Sequence, residues 1–203
     1  MPFPITKFIN KIKPKHRSFL DKLIVSHIDK KNVSIYNRIK KHIVGENLLD
    51  IGVGSGGLFK YLKDKGYKMK GVDIADKSFF SDVTPLIYDG KSFEFKNNQF
   101  DTALIIHVLH HCDDAYKVLS EAMRVSKRVV FIEDTYRNSL EQFIVSVNDA
   151  VTNFELYPHT YRTPEDWRSH IKKNKWKILH EESYSEFLYG TTYGRYVLFV
   201  VEK

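Results

Sequence analysis

The stretch that most narrows what this chain can fold into is Asn47-Leu48-Leu49-Asp50-Ile51-Gly52-Val53-Gly54-Ser55-Gly56-Gly57-Leu58. A strand-like apolar run meets a cluster of four glycines, which opens directly into a helical pattern, Leu58-Phe59-Lys60-Tyr61-Leu62-Lys63. Glycines at such a junction let the backbone turn sharply and approach a ligand with no Cβ in the way. The helix behind them offers unpaired N–H groups and a partial positive charge. The combination reads as a nucleotide-type binding loop.

Behind this loop the chain alternates. Strand 47–52 leads to helix 57–65, strand 68–74 ends at Asp73, and an irregular or helical piece spans 76–83. Strand 86–88 ends at Asp89-Gly90, and a polar loop over 91–100 leads into the nearly all-apolar strand 101–107. Helix 113–125 opens on Asp113-Asp114, whose acids suit a helix N-terminus, and strand 128–133 follows. Repeated strand–helix–strand order predicts an α/β fold, a doubly wound and mostly parallel sheet with helices on both faces. Two helices, 138–154 and 164–174, then precede strands 176–184 and 195–202. Their connection is too short for a crossover helix, so this last pair is expected to be antiparallel.

The net charge of +7 is uneven: residues 1–46 carry eleven Lys or Arg against three acids, a net +8, and the rest 21 against 22, a net −1. Apolar residues at helical spacing over 17–28, and again at Ile35, Ile39 and Ile43, predict a two-helix lid or brace. The second helix is expected to be capped by Asn32 or Ser34 and stopped near Gly45. The expected organisation is therefore a basic helical extension over 1–45 and one domain over 46–203. Such a basic segment suits RNA, an anionic membrane surface or an acidic partner, or is simply a solvated helical face. There is no run of about 18 apolar residues for a membrane span and no signal-peptide core. With Cys112 as the single cysteine, neither an internal disulfide nor a thiolate metal cluster can form. Cytoplasm is the expected compartment, with peripheral membrane association open; the oligomeric state is not legible.

Gly52, Gly54 and Gly57 fit the dinucleotide spacing, but three acids favour another ligand. Asp50 lies two residues before the first glycine, where a carboxylate suits an ammonium rather than a pyrophosphate. Asp73, at the end of the second strand, is placed for ribose hydroxyls. Asp89, after the third, can accept from the amine of adenine. Together they describe S-adenosylmethionine better than a dinucleotide. A structural alternative stands beside each: Asp50 bonded to loop amides, Asp73 capping a turn, Asp89 in a plain Asp-Gly turn.

Leu49-Asp50-Ile51-Gly52-Val53-Gly54-Ser55-Gly56 resembles the first motif of class I S-adenosylmethionine-dependent methyltransferases. Gly71-Val72-Asp73-Ile74 is similar to their second, and Phe95–Asp101 to the loop before their fourth strand. Val108-Leu109-His110-His111-Cys112-Asp113-Asp114 resembles the following segment in the branch acting largely on small molecules. The resemblance covers residues 45–135. It implies a seven-stranded sheet whose last hairpin puts one antiparallel strand inside a parallel sheet. It also implies that the Gly52–Gly56 loop passes under the methionyl part and ribose, with Asp50 near the ammonium. Asp73, followed by Ile74, would bind the ribose; Asp89 and the backbone N–H of Gly90 would meet the adenine; His107 would face the cofactor near its sulfonium. The usual helix between the third and fourth strands is missing or reduced.

Methyl transfer from a sulfonium is mainly a matter of alignment, and a general base is needed only when the acceptor must lose a proton. By position the candidates are His107, His110, His111, Asp134 and Tyr136, with His159 and Tyr161 from a later loop. A histidine suits the task best near neutrality. No metal is expected, because no second cluster with zinc spacing accompanies these histidines. The run 133–137 is expected on the rim, as a catalytic part or a solvated loop. No Asn-Pro-Pro-Tyr or Asp-Pro-Pro-Tyr tetrapeptide and no Pro-Cys pair occurs. These absences favour a small-molecule acceptor, under a roof bearing Phe143, Phe154, Tyr157, Tyr161 and Trp167; an RNA or protein methyltransferase using the basic N-terminal segment, and a non-catalytic S-adenosylmethionine-binding partner subunit, stay open beside it.

Overall fold

The computed structural model describes residues 31–153, 159–188 and 192–203. The helical pattern at 17–28 and seven of the eleven N-terminal basic residues therefore lie outside the described residues, as do Phe154 and Tyr157.

Seven strands form one sheet. They are β1 (Asn47–Ile51), β2 (Lys68–Asp73), β3 (Leu86–Ile87), β4 (Phe100–Ile106), β5 (Ser126–Asp134), β6 (Lys177–Leu188) and β7 (Thr192–Glu202). Their order is β3-β2-β1-β4-β5-β7-β6, with β1 to β5 parallel and β7 antiparallel to both neighbours. The expected doubly wound sheet with its inserted antiparallel strand is the observed fold. The helices are α1 (31–39, tightening into a 3-10 turn at Lys40–His42), α2 (Gly57–Asp64), α3 (Ala115–Val125), α4 (Ser139–Asn153) and α5 (Pro164–Lys173). No helix is present between β3 and β4, where residues 88–99 are loop.

Alternation along the central strands sends one set of side chains to each face. Val129 and Phe131 of β5 pack with Leu119 and Met123 of α3 and Trp167 and Ile171 of α5. Val130 and Ile132 pack on the opposite face with Leu62 of α2 and Ile39 of α1. Each such fully buried side chain contributes roughly 1.5–3 kcal/mol relative to exposure. The local sequence starts these helices where expected. Asp114 caps α3 by accepting from Lys117 N at 3.0 Å, and Thr163 with Asp166 closes a capping box on α5 ahead of Pro164.

Three expectations change. Residue 31 is already helical, so neither Asn32 nor Ser34 caps α1; propensity marked a start that the chain passes through. Packing also runs across the 45/46 boundary, because Ile39 is fully buried under the sheet. Finally, the last hairpin is longer than its apolar pattern suggested, pairing as far as Leu188 and Thr192. Glu182, Tyr184 and Glu186 share one face of edge strand β6, and Arg38 of α1 covers them all. Its guanidinium reaches Glu182 at 2.5 Å and Glu186 at 2.7 Å and lies 3.5 Å over the Tyr184 ring.

Candidate active site

The glycine loop follows β1 at the carboxyl edge of the sheet. Gly52 has φ +78°, and a Cβ there would come 2.4 Å from Val108 Cγ2, so the segment after β4 packs directly on its backbone. Gly54 has φ +52°, and no atom lies closer than 3.9 Å to where its Cβ would stand, so it faces open space. Asp73 fixes that geometry: its Oδ2 accepts from Gly54 N at 2.8 Å and its Oδ1 from Ala75 N at 3.3 Å. A carboxylate has about four lone-pair sites, so these two bonds leave acceptor capacity at the end of β2. The 74–85 segment is irregular, and Phe79 N ties it to Ser55 O at 3.0 Å. Phe80 and Val83 bury themselves against Val53 and Phe59, doing the packing a helix would otherwise do.

Asp50, at the end of β1, is 3% exposed. Burial pushes its carboxyl up to about 7, with the Asp73 charge adding to the rise. A buried acid of this kind gains from a cation beside it. Asp89 has a different setting: exposed, it accepts from the amides of Lys91 at 2.8 Å and Ser92 at 3.1 Å. Those bonds lower its pKa and make it the anchor of its own turn. Gly90, at φ +77°, adjoins the exposed Ile74, whose Cγ2 would lie 3.8 Å from a Cβ on Gly90. Asp50, Gly52, Gly54, Gly56, Asp73, Ile74 and Gly90 thus share the rim of β1, β2 and β3, with Asp89 on its outer edge.

The histidines take three different roles. His107 follows β4 directly, at φ +57°, a conformation uncommon for residues other than glycine. Its backbone N donates to Ile132 O at 2.8 Å, and its Nδ1 lies 2.8 Å from Asp134 Oδ2. Burial by itself would raise the Asp134 carboxyl. The charge and hydrogen bond of His107 outweigh it, with His110 and Lys31 adding, and hold it down at about 2. His110 is buried in the 3-10 turn Leu109–His111, with Nδ1 2.7 Å from Glu133 Oε2. His111 Nδ1 meets His159 Nε2 at 3.2 Å, and His159 Nδ1 meets the Tyr161 hydroxyl at 3.4 Å. Tyr136 is half-buried on the rim just past β5.

Glu133 is the residue sequence reasoning undervalued. The run 133–137 does not begin as a solvated loop: β5 continues through Asp134, and Glu133 is 1% exposed. Its carboxylate accepts from Val108 N, Leu109 N and His110 N at 2.9, 2.8 and 3.3 Å. It thereby holds the segment that presses on Gly52. The available signal was one acid immediately before the candidate Asp134, on the opposite face of an apolar strand. Thr135, also buried, binds β7 through Arg195 O and the later loop through Arg162 O.

The expected roof is only partly where the sequence put it. Trp167 is a core residue, its ring 5.3 Å from that of Phe131, because α5 lies flat on the sheet. Tyr161 is buried, stacked on His110 at 5.4 Å. α4 instead stands at the rim, with Glu141 Oε2 3.5 Å from Arg195 Nε of β7. It buries Val145 and exposes Leu140, Phe143, Ile144 and Val147. Among the described residues no group of three or more His, Cys, Asp or Glu could hold a metal ion. No described helix is long and apolar enough to cross a membrane.

Comparison with known proteins gives this arrangement a family. Residues 49–131 match the family model of a methyltransferase domain. The ubiquinone biosynthesis O-methyltransferase of Thiobacillus denitrificans is 25% identical over 167 residues, 75% of this chain and 70% of that protein. Two solved structures share the fold. One is a SAM-dependent methyltransferase from Archaeoglobus fulgidus, with TM-score 0.68, 15% identity and coverage of 87% of this chain and 94% of that one. The other is geranyl diphosphate C-methyltransferase from Streptomyces coelicolor, with TM-score 0.67, 14% identity and coverage of 94% and 85%. Residues 49–131 thus form a methyltransferase domain, and the strand order and glycine loop around them are consistent with the class I S-adenosylmethionine-dependent methyltransferases.

Proposed function

We propose that the chain transfers the methyl group to a small, partly apolar acceptor that rests against α4. The observation that carries this reading is the row Leu140, Phe143, Ile144 and Val147. It repeats at i, i+3, i+4 and i+7 on a helix that starts five residues after Asp134, so an apolar stripe faces solvent beside the reaction edge. The Thiobacillus protein is named as an O-methyltransferase of ubiquinone biosynthesis and the Streptomyces structure as a geranyl diphosphate C-methyltransferase, which supports a small-molecule acceptor. The lone Cys112 suits a reducing cytoplasm.

The residues present fit the cofactor. The open space over Gly54 is the cradle a Cβ would narrow, and buried Asp50 is an acid that gains from the ammonium. Asp73 would take the ribose hydroxyls with the lone pairs its loop bonds leave free. Ile74 and Gly90 would flank the purine, with Asp89 at its edge. The bound cofactor supplies a methyl group on a sulfonium, with a neutral thioether as leaving group. The protein's part is to hold donor and acceptor in line and exclude water.

Calorimetry of the full chain with S-adenosylmethionine, followed by assay of S-adenosylhomocysteine with small apolar acceptors, tests the reading. Binding, with turnover unchanged by nuclease, is expected. Turnover confined to RNA and falling steeply with salt would overturn it.

A further inference from the structure

We infer that His107 and Asp134 form a general-base dyad and that the acceptor group is therefore an acidic hydroxyl, phenolic or enolic. This deepens the methyltransferase reading above and rests on it.

Four observations converge. First, the geometry is that of an oriented base. Asp134 Oδ2 sits 2.8 Å from Nδ1, so it accepts the Nδ1–H hydrogen bond and leaves the Nε2 lone pair facing away from it. No partner for Nε2 occurs among the described residues, and the ring is partly open to solvent. Second, the other histidines are engaged differently: His110 is 3% exposed and bonded to Glu133, while His111 and His159 bond each other. Third, the backbone of His107 is held at φ +57° by the bond to Ile132 O, and the Tyr196 ring meets its imidazole edge-on at 5.1 Å. A conformation of that kind persists where the surrounding structure fixes it, and such positions cluster at functional sites. Fourth, the next residue, Val108, packs on Gly52, which sets the imidazole at the edge of the cofactor loop.

The chemistry follows. A neutral amine attacks a sulfonium with a lone pair it already holds, whereas a hydroxyl acceptor must shed a proton. An imidazole is matched to a phenol or enol rather than to an aliphatic alcohol. The hydroxyl proton passes to Nε2 as the oxygen–methyl bond forms. The sulfur–methyl bond breaks with its electron pair staying on sulfur, giving S-adenosylhomocysteine, and the imidazolium returns its proton to water. Asp134 remains ionised throughout, consistent with its depressed pKa. The groups facing this dyad are His110 from the 3-10 turn, Tyr196 and Tyr184 from the last hairpin, and Lys31 from α1.

The test uses the full chain with S-adenosylmethionine and two probe sets: catechol, pyrogallol and caffeate as phenols, aniline and histamine as amines. Methylation of phenols but not amines is expected, with kcat about 100-fold lower in His107→Gln. Asp134→Asn keeps cofactor affinity within about twofold and lowers kcat, and Asp134→Glu, which keeps a carboxylate for the Nδ1–H, recovers most of that loss. A merely structural Asp134 would lose cofactor affinity and kcat together, with no recovery in Asp134→Glu. Methylation of amines alone, of no probe at all, or undiminished kcat in His107→Gln overturns the dyad while leaving the methyltransferase reading intact. Failure of the unaltered chain to bind the cofactor overturns both.

Discussion

Glu133 Oε2 lies 2.7 Å from His110 Nδ1, both groups almost wholly buried, and the same carboxylate gathers three backbone N–H groups from 108–110. A side chain of β5 thus builds the turn after β4, and that turn in turn packs on Gly52 of the cofactor loop. Glu133 anchors that turn while Asp134, one residue on, meets His107, and the alternation of a strand separates the two partners.

Removing this carboxylate strands four donors at once. Glu133→Ala is expected to cost about 3–5 kcal/mol, the scale of breaking a buried pair by deleting one partner. That corresponds to a drop of roughly ten degrees in melting temperature for a chain of this size. Glu133→Gln keeps the acceptor oxygen and should lose less than half as much. Thermal unfolding followed by circular dichroism checks both, and an unchanged midpoint in Glu133→Ala would contradict the anchoring role.

The two rim acids separate cleanly. Asp73→Ala removes the bond to Gly54 N and the proposed ribose acceptor, so cofactor affinity is expected to fall about tenfold or more, or roughly 1.5–3 kcal/mol. Asp89 is exposed, with one oxygen held by the amides of Lys91 and Ser92, so water competes for the other and Asp89→Ala should shift affinity less than threefold. Titration calorimetry on the two variants decides the matter; equal losses would show that Asp89 reaches the ligand.

How much was legible follows from where the signals are local. The glycine loop, the succession of strands up to β5 and the antiparallel last pair are written in short apolar runs and turn residues, and each was readable. Asp50, Asp73 and Asp89 could be placed at strand ends, but not told apart, because only packing shows that one is buried and another is holding its own turn. Trp167 read as roof and proved core, since an aromatic at helical spacing looks the same whichever side of its helix meets the sheet. Glu133 was hidden in a run of polar residues; its burial depends on contacts with 108–110, twenty-odd positions away. Likewise Ile39 belonged to a pattern that only the sheet could turn into core.

That last residue gives a direct test of how α1 is joined to the domain. Ile39 is fully buried among Leu48, Leu104 and Leu198. Ile39→Ala should cost about 2–5 kcal/mol and unfold the whole domain in one transition. Deletion of residues 1–16, by contrast, is expected to leave cofactor affinity unchanged and to alter acceptor turnover. Chemical denaturation monitored by fluorescence and by far-ultraviolet dichroism checks the first; a separate early transition would make α1 an appendage.

Asp50 supplies the pH dependence. Its folded pKa, about 7, stands above the ordinary 3.8, so the folded protein binds more protons than the unfolded chain between those values. The contribution of this group to the stability of the cofactor-free protein is thus fully present below about 3.8 and is lost as pH rises through about 7. Cofactor binding carries the opposite sign. In the proposed contact the ammonium needs the carboxylate, so affinity should rise with pH, by up to about tenfold per unit below the Asp50 pKa, and level off above it. Binding near pH 6 should release a proton, seen as a heat that varies with the ionisation enthalpy of the buffer. Asp50→Asn should raise the melting temperature of the cofactor-free protein at pH 8, weaken cofactor binding, and abolish its pH dependence. Retention of the proton release in that variant would assign it to another group.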